Sequence, residues 1–137
     1  MSERKASGSS KGLILVVDDF EDNREMYAEY LRFKGYEVAE AANGHDAVEI
    51  ARRMLPDVVC MDLSLPGMDG WEATRRLKND DRTRHIPIVV VTGHAFDGDG
   101  QSAMEAGGDT FLTKPCLPED LVQHVEELMG KGASARS

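Results

Sequence analysis

Residues 13–19 read LILVVDD, five apolar residues followed at once by two aspartates. The run is short, β-branched and does not alternate, as expected of a strand buried on both faces. Runs of the same character lie at 58–61 and 86–91, with weaker ones at 37–41 and 110–113. Between them, apolar residues recur at helical spacing. Met26, Tyr27, Tyr30 and Leu31 do so within 23–34, closed by Gly35, and Ala47, Val48, Ile50, Ala51 and Leu55 do so within 44–55. Trp71, Ala73, Thr74 and Leu77 follow within 69–79, then Leu121, Val122, Val125 and Leu128 within 118–129, opened by Pro118. Five strands alternating with five helices predict an α/β fold, a parallel sheet covered on both faces through right-handed crossovers. In such sheets the working site lies beyond the carboxyl ends of the strands.

The chain has 137 residues, 30% charged and 41% hydrophobic, the composition of an ordinary globular protein. One domain is expected over 12–130, between a disordered tail at 1–11 and a flexible tail at 131–137 that carries no output domain. Net charge is −9, and residues 12–130 alone hold 11 Lys and Arg against 24 Asp and Glu, a net of −13. So acidic a surface repels phosphate backbones, and no direct nucleic-acid binding is expected. No apolar run has the length of a membrane span, and the basic N-terminus lacks the apolar stretch of a signal peptide, so the expectation is a cytoplasmic protein. Cys60 and Cys116 are far apart with no C-x-x-C, which predicts buried or half-buried free thiols rather than disulfides or zinc.

The strand ends carry the chemistry. After the first strand come Asp18 and Asp19, and after the third comes Asp62, in VVCMDLSLPGMDG (58–70). After the fourth comes Thr92, in IVVVTGHA (88–95), and after the fifth come Lys114 and Pro115, in TFLTKPC (110–116). Two carboxylates ~4 Å apart repel by roughly 4 kcal/mol at an effective dielectric of ~20, so something must offset that cost. Three carboxylates at one edge make a hard-oxygen site for Mg²⁺. An aspartate can itself be the nucleophile, forming an acyl phosphate, with Lys114 and Mg²⁺ supplying positive charge to the phosphoryl oxygens.

This ordered set, VVDD, MDLSLPGMDG, VVVTGHA and FLTKP, resembles the receiver domain of two-component response regulators, over residues 12–129. The resemblance implies the flavodoxin-like sheet order 2-1-3-4-5. It implies that Asp62 is the phosphoacceptor, charged by a phosphohistidine on a sensor histidine kinase or a histidine phosphotransfer protein. Asp18, Asp19, Asp62 and the main-chain carbonyl of Ser64 would hold Mg²⁺, and Lys114 would pair with the phosphoryl group, ahead of a cis bond at Pro115. Thr92 and Phe111 would be the switch residues, and Ser64 and His94 would tune rates. The family usually couples phosphorylation to downstream partners, dimerisation included, through residues 101–106, 110–113 and 119–128. It implies a signalling phosphoacceptor rather than an enzyme, limited to its own phosphorylation and dephosphorylation. A stand-alone switch, a phosphorelay shuttle and a degenerate interaction module all fit these residues. A haloacid dehalogenase type phosphatase fits poorly, since Asp18-Asp19-Phe20-Glu21 contains no D-x-D.

Taken singly, each residue also has an ordinary explanation. Asp18 and Asp19 suit a helix N-terminus, Thr92 a strand end, Asp62 and Lys114 turns, and Phe111 the core. Gly98 and Gly100 predict a short or mobile fourth helix over 97–106. His45, His85 and His124 show no metal spacing. Arg75, Arg76, Lys78, Arg82 and Arg84 form a basic cluster read as a solvated face, with docking of an acidic partner second. For Phe20, packing and docking of a phosphodonor stand level.

Overall fold

Strand β1 (Leu13–Val17) is buried along its whole length because it lies inside a sheet, paired on both edges, and its alternate residues enter cores on both faces. In this computed structural model the described residues are 11–63, 70–92, 107–113 and 116–136, with backbone only at 92, 111, 113 and 131–136. β2 (Glu37–Ala41) and β3 (Val58–Asp62) flank β1, followed by β4 (Ile88–Thr92) and β5 (Thr110–Thr113). All neighbours are parallel and the order is β2-β1-β3-β4-β5, as expected from the strand pattern and the family resemblance. The described helices are α1 (Glu21–Phe33), α2 (Gly44–Met54), α3 (Gly70–Lys78) and α4 (Pro118–Arg136).

Alternate strand residues feed two separate cores. Leu15, Val17, Val59, Met61, Ile88 and Val90 pack with α2 and α3, through residues such as Val48 and Leu77. Ile14, Val16, Val58, Cys60, Val89 and Val91 pack with α1 and α4, through residues such as Leu31 and Leu121. Burying each such side chain contributes roughly 1.5–3 kcal/mol, and the two-sided burial is why these strands show no polar alternation.

Local chemistry sets the element ends. Gly35 (φ 103) ends α1 with Gly35 N donating to Arg32 O and Tyr36 N to Leu31 O, both at 3.0 Å, a Schellman arrangement that needs a left-handed residue. Asn43 caps α2, its Oδ1 accepting from Asp46 N at 2.8 Å. β4 starts at Ile88 rather than 86. Ile86 N is committed to Thr83 O at 2.9 Å, and Pro87 has no N–H, although its carbonyl accepts from Val59 N at 3.0 Å.

Two boundaries differ from the sequence reading. Lys11 belongs to the folded unit, donating from N to Gly35 O at 3.0 Å and placing Nζ 5.5 Å from the Tyr36 ring centre. α4 continues to Arg136, through residues assigned above to a tail. Gly130 and Gly132 each cost it up to ~1 kcal/mol, but Ala133 and Ala135 are the strongest helix formers. The fourth helix expected over 97–106 lies outside the described residues. No helix among the described residues is long and apolar enough to cross a membrane.

Candidate active site

Asp18 follows β1 and Asp62 ends β3, and since these strands are neighbours the two carboxylates share one sheet edge. Both residues are buried, at 3% exposure, while Asp19 is open to solvent. One carboxylate oxygen from each of Asp18, Asp19 and Asp62 falls within 4.8 Å of the others. Ligand oxygens around octahedral Mg²⁺ stand ~2.9–4.2 Å apart, so small side-chain rotations would bring these three onto one ion. The exposed Asp19 side leaves room for the waters that Mg²⁺ retains. The donor set therefore fits the cation.

The loop bearing the pair is held by its own backbone and by Arg24. Asp18 Oδ1 accepts from Phe20 N at 2.9 Å, turning the chain into α1, and Asp18 N donates to Ala41 O at 3.1 Å. Arg24 Nη1 donates to the main-chain oxygen of Asp18 at 2.9 Å, while its Nε donates to Glu40 Oε1 at 3.1 Å. Glu40 also meets Arg32 Nη2 at 3.3 Å. One half-buried guanidinium thus ties the carbonyl next to the acidic pair to β2.

Gly70, the first residue of α3, packs directly on the strand end that carries Asp62. A Cβ there would collide with the Asp62 main-chain oxygen and lie 2.7 Å from Leu63 Cα. Only a residue without a side chain lets α3 start this close.

A second contact reaches the site from the α1 side. The Tyr27 hydroxyl donates to Cys116 O at 3.1 Å and, its one hydrogen so used, accepts from the Cys116 thiol at 3.3 Å. Burial first, then the bond to Cys116 and the negative charge of Asp18 and Asp62, keep this phenol protonated well above its ordinary range. Cys60, in β3, is pushed up to about 12, mainly by burial. Both thiols are free, Cys60 buried and Cys116 half-buried, as their spacing suggested.

Thr92 ends β4 opposite Thr113, and Asp62 pairs with Val91, so the Thr92 backbone lies one step past Asp62 on the next strand. Phe111 pairs with Val90 in β5. The side chains of Thr92 and Phe111, and the residues Ser64, His94, Lys114 and Pro115, lie outside the described set. Phe20 is 56% exposed and so is no part of the core.

Arg24, Tyr27 and Gly70 were not singled out by the sequence. A cation in the first turns of a helix, where the dipole favours acids, was the available signal for Arg24. Tyr27 read only as an apolar position of α1, and Gly70 lay unremarked in the helical stretch 69–79.

The family model of the response regulator receiver domain matches residues 14–126. Response regulator PleD of Caulobacter vibrioides (strain NA1000 / CB15N) is 45% identical over 102 residues, 74% of this chain but 22% of PleD. The polar-differentiation response regulator DivK of Brucella anthropi is 32% identical over 117 residues, 85% of this chain and 95% of DivK. The receiver domain of sensor histidine kinase PA1611 from Pseudomonas aeruginosa PAO1, solved with a magnesium ion coordinated in the active site cleft, gives a TM-score of 0.82. It is 34% identical, over 87% of this chain and 98% of that one.

Proposed function

The chain belongs to the response regulator receiver domain family of two-component signalling, and from that membership we propose that Asp62 is its phosphoacceptor. Acceptance of a phosphoryl group by an aspartate is general to these domains, which signal rather than turn over a substrate. The observation that carries the reading is the meeting of Asp18, Asp19 and Asp62 within 4.8 Å at the carboxyl edge of the sheet. In the reaction an Asp62 carboxylate oxygen forms the new O–P bond as the N–P bond of a phosphohistidine breaks. The imidazole of the sensor kinase or phosphotransfer protein is the leaving group. Asp18, Asp19, Asp62 and the Ser64 carbonyl would hold Mg²⁺, which supplies positive charge where three carboxylates and a phosphoryl group crowd together. Lys114 would pair with the transferred group and Thr92 would hydrogen-bond one of its oxygens.

The phosphoryl group adds roughly −1.5 to −2 charges, and a hydrogen bond to a charged group contributes ~1.5–3 kcal/mol. Reversing a 1:99 equilibrium takes about 5.5 kcal/mol. One new Thr92 contact therefore shifts the population in part, and a bound partner completes the change, with Phe111 following Thr92. His94 and Ser64 would tune the lifetime of the phosphoaspartate.

The α1 side supports docking of the phosphodonor. Phe20 projects beside the acidic pair, and a hollow of about 510 Å³ runs along α1 past Met26, Tyr30 and Phe33 to Pro118. Its acidic rim is crowded. Glu25 binds its proton more tightly than an ordinary glutamate, first through a hydrogen bond with Glu21 and then through the charges of its neighbours. A donor surface with an apolar ridge and basic flanks suits it.

Intact mass after incubation with acetyl phosphate, with and without Mg²⁺, tests the reading on the native protein and on Asp62→Asn. One labile phosphoryl adduct requiring both Mg²⁺ and Asp62 is expected. No adduct under any condition overturns the proposal in favour of an interaction module that is not phosphorylated.

A further inference from the structure

The charge of this domain is unevenly distributed. Residues 44–54 and 70–84, which form α2, α3 and the turn after it, carry seven Lys and Arg against five Asp and Glu. The rest of 12–130 carries four against nineteen. Between α2 and α3 runs a groove of about 350 Å³ lined by four arginines, Arg52, Arg53, Arg76 and Arg82, against one carboxylate, Glu49, which stands 3.9 Å from Arg53 Nη1. It adjoins a second hollow of about 520 Å³ that shares Arg52, Arg76 and Arg82 and adds Asn79, Asp80 and Asp81, so the positive charge is concentrated in the α2–α3 groove itself.

These arginines are held in place. Asp80 Oδ2 accepts from Arg52 Nε at 2.7 Å and from Arg82 Nη2 at 3.1 Å, so one carboxylate oxygen fixes a guanidinium from each side. Asp80 Oδ1 accepts from Arg82 N at 2.9 Å, which anchors the carboxylate in its own turn. Glu72 holds Arg76 through Nε at 2.9 Å. A solvated face laced with ion pairs would look similar in part, and such pairs contribute little to stability. What differs is the sharing. A guanidinium has five N–H donors, and the bond to Asp80 engages only Nε of Arg52, so that among the described residues its terminal nitrogens are left for a ligand. Their orientation is set in advance, so binding need not order two long side chains. Lys78 is not part of the groove, since its Nζ donates to Asp109 Oδ2 at 3.0 Å and Ile86 O at 2.8 Å.

We propose that the α2–α3 groove docks an acidic polypeptide segment of a protein partner, its carboxylates meeting the guanidiniums of Arg52, Arg82, Arg76 and Arg53. Val48 is the one apolar residue that lines the groove, which suits a charged strand or helix edge better than an apolar ridge. No Phe, Tyr or Trp among the described residues lines it, so nucleobases lack the large aromatic platforms on which single strands stack. The large negative charge elsewhere disfavours a long phosphate polymer. Because α2 and α3 cover the sheet face opposite α1 and α4, a segment bound here leaves the α1 side open. The proposal stands independently of the role given to Asp62.

The test is fluorescence anisotropy of a fluorescein-labelled deca-glutamate peptide with the full chain at low and physiological salt, deca-lysine and oligo-dT serving as comparisons. A protein of net charge −9 should repel the glutamate peptide, so saturable binding to it is itself informative. Arg52→Gln with Arg82→Gln is expected to weaken binding at least tenfold, and Arg53→Gln with Arg76→Gln severalfold. Arg32→Gln, on α1, should leave it within twofold. Thermal melting of each variant separates lost folding from lost binding, and Arg→Lys at 52 and 82 should restore part of the affinity. Equal binding by the folded double variants, no binding at low salt, or tighter binding of oligo-dT than of deca-glutamate overturns the proposal.

Discussion

The Tyr27 hydroxyl on α1 donates to the main-chain oxygen of Cys116, tying together residues 89 positions apart at 3.1 Å. Cys116 stands two residues after Lys114, so this bond fixes the chain just past the lysine proposed to meet the phosphoryl group. Tyr27→Phe keeps the ring and removes the bond. We expect a loss of about 1 kcal/mol in urea unfolding, with slower phosphorylation by acetyl phosphate. Unchanged stability and rate would mean that the contact holds nothing.

Alkaline pH should unfold the protein through its two buried acids. Cys60 ionises near 9 when exposed and near 12 in the fold, and burial likewise raises Tyr27 above 10. A raised folded value means that the stabilisation is complete below pH 9 and is lost as pH climbs towards 12. The slope contributed by Cys60 approaches ~1.4 kcal/mol per pH unit within that window. Urea titrations from pH 8 to 11 should show it, and Cys60→Ala should flatten the part of the curve nearest pH 9 to 10.

Gly70→Ala drives a methyl group into the backbone of Asp62 and Leu63. Overpacking of this kind costs roughly 1–3 kcal/mol, and here the strain falls on the strand end carrying the acceptor. Chemical denaturation should report the loss, and the yield of phosphorylated protein should fall with it.

Arg24 orients the carbonyl that joins the proposed metal ligands Asp18 and Asp19, acting through the backbone rather than on a carboxylate of the pair. Arg24→Gln is expected to weaken Mg²⁺ binding about tenfold, the usual size of such outer contacts, while Asp19→Asn removes a ligand outright. In the native protein, saturation at 100 times Kd adds about 2.7 kcal/mol to unfolding. Melting with and without Mg²⁺ should show that gain reduced in Arg24→Gln and absent in Asp19→Asn.

Much of this was legible from the chain. The short, β-branched, unbroken apolar runs at 13–17 and 58–61 read as strands covered on both faces, and the acids that follow them meet because those strands are neighbours. Helix ends marked by special chemistry, such as Gly35 and Pro118, were equally plain. Contacts between distant elements were not. Arg24 reaches Glu40 across the sheet edge, Tyr27 finds Cys116, and Arg52 shares Asp80 with Arg82, yet none of these pairs has a fixed spacing that periodicity could reveal. The continuation of α4 past Met129 was not legible because the apolar periodicity stops at Leu128 and two weak helix formers, Gly130 and Gly132, follow.

The paired edges of β1 also determine which parts of the molecule open first. Its backbone is bonded to β2 on one side and β3 on the other, and its entry is tied by Leu13 N to Asp57 Oδ2 and Asp57 N to Leu13 O, both 2.8 Å. Amides so enclosed exchange with solvent deuterium only when the whole domain unfolds, whereas loops and helix ends exchange through small local openings. The floor under Asp18 and Asp62 is thus expected to exchange more slowly than any other part of the described residues. A charge added there by the proposed phosphorylation would meet a backbone that does not yield with it.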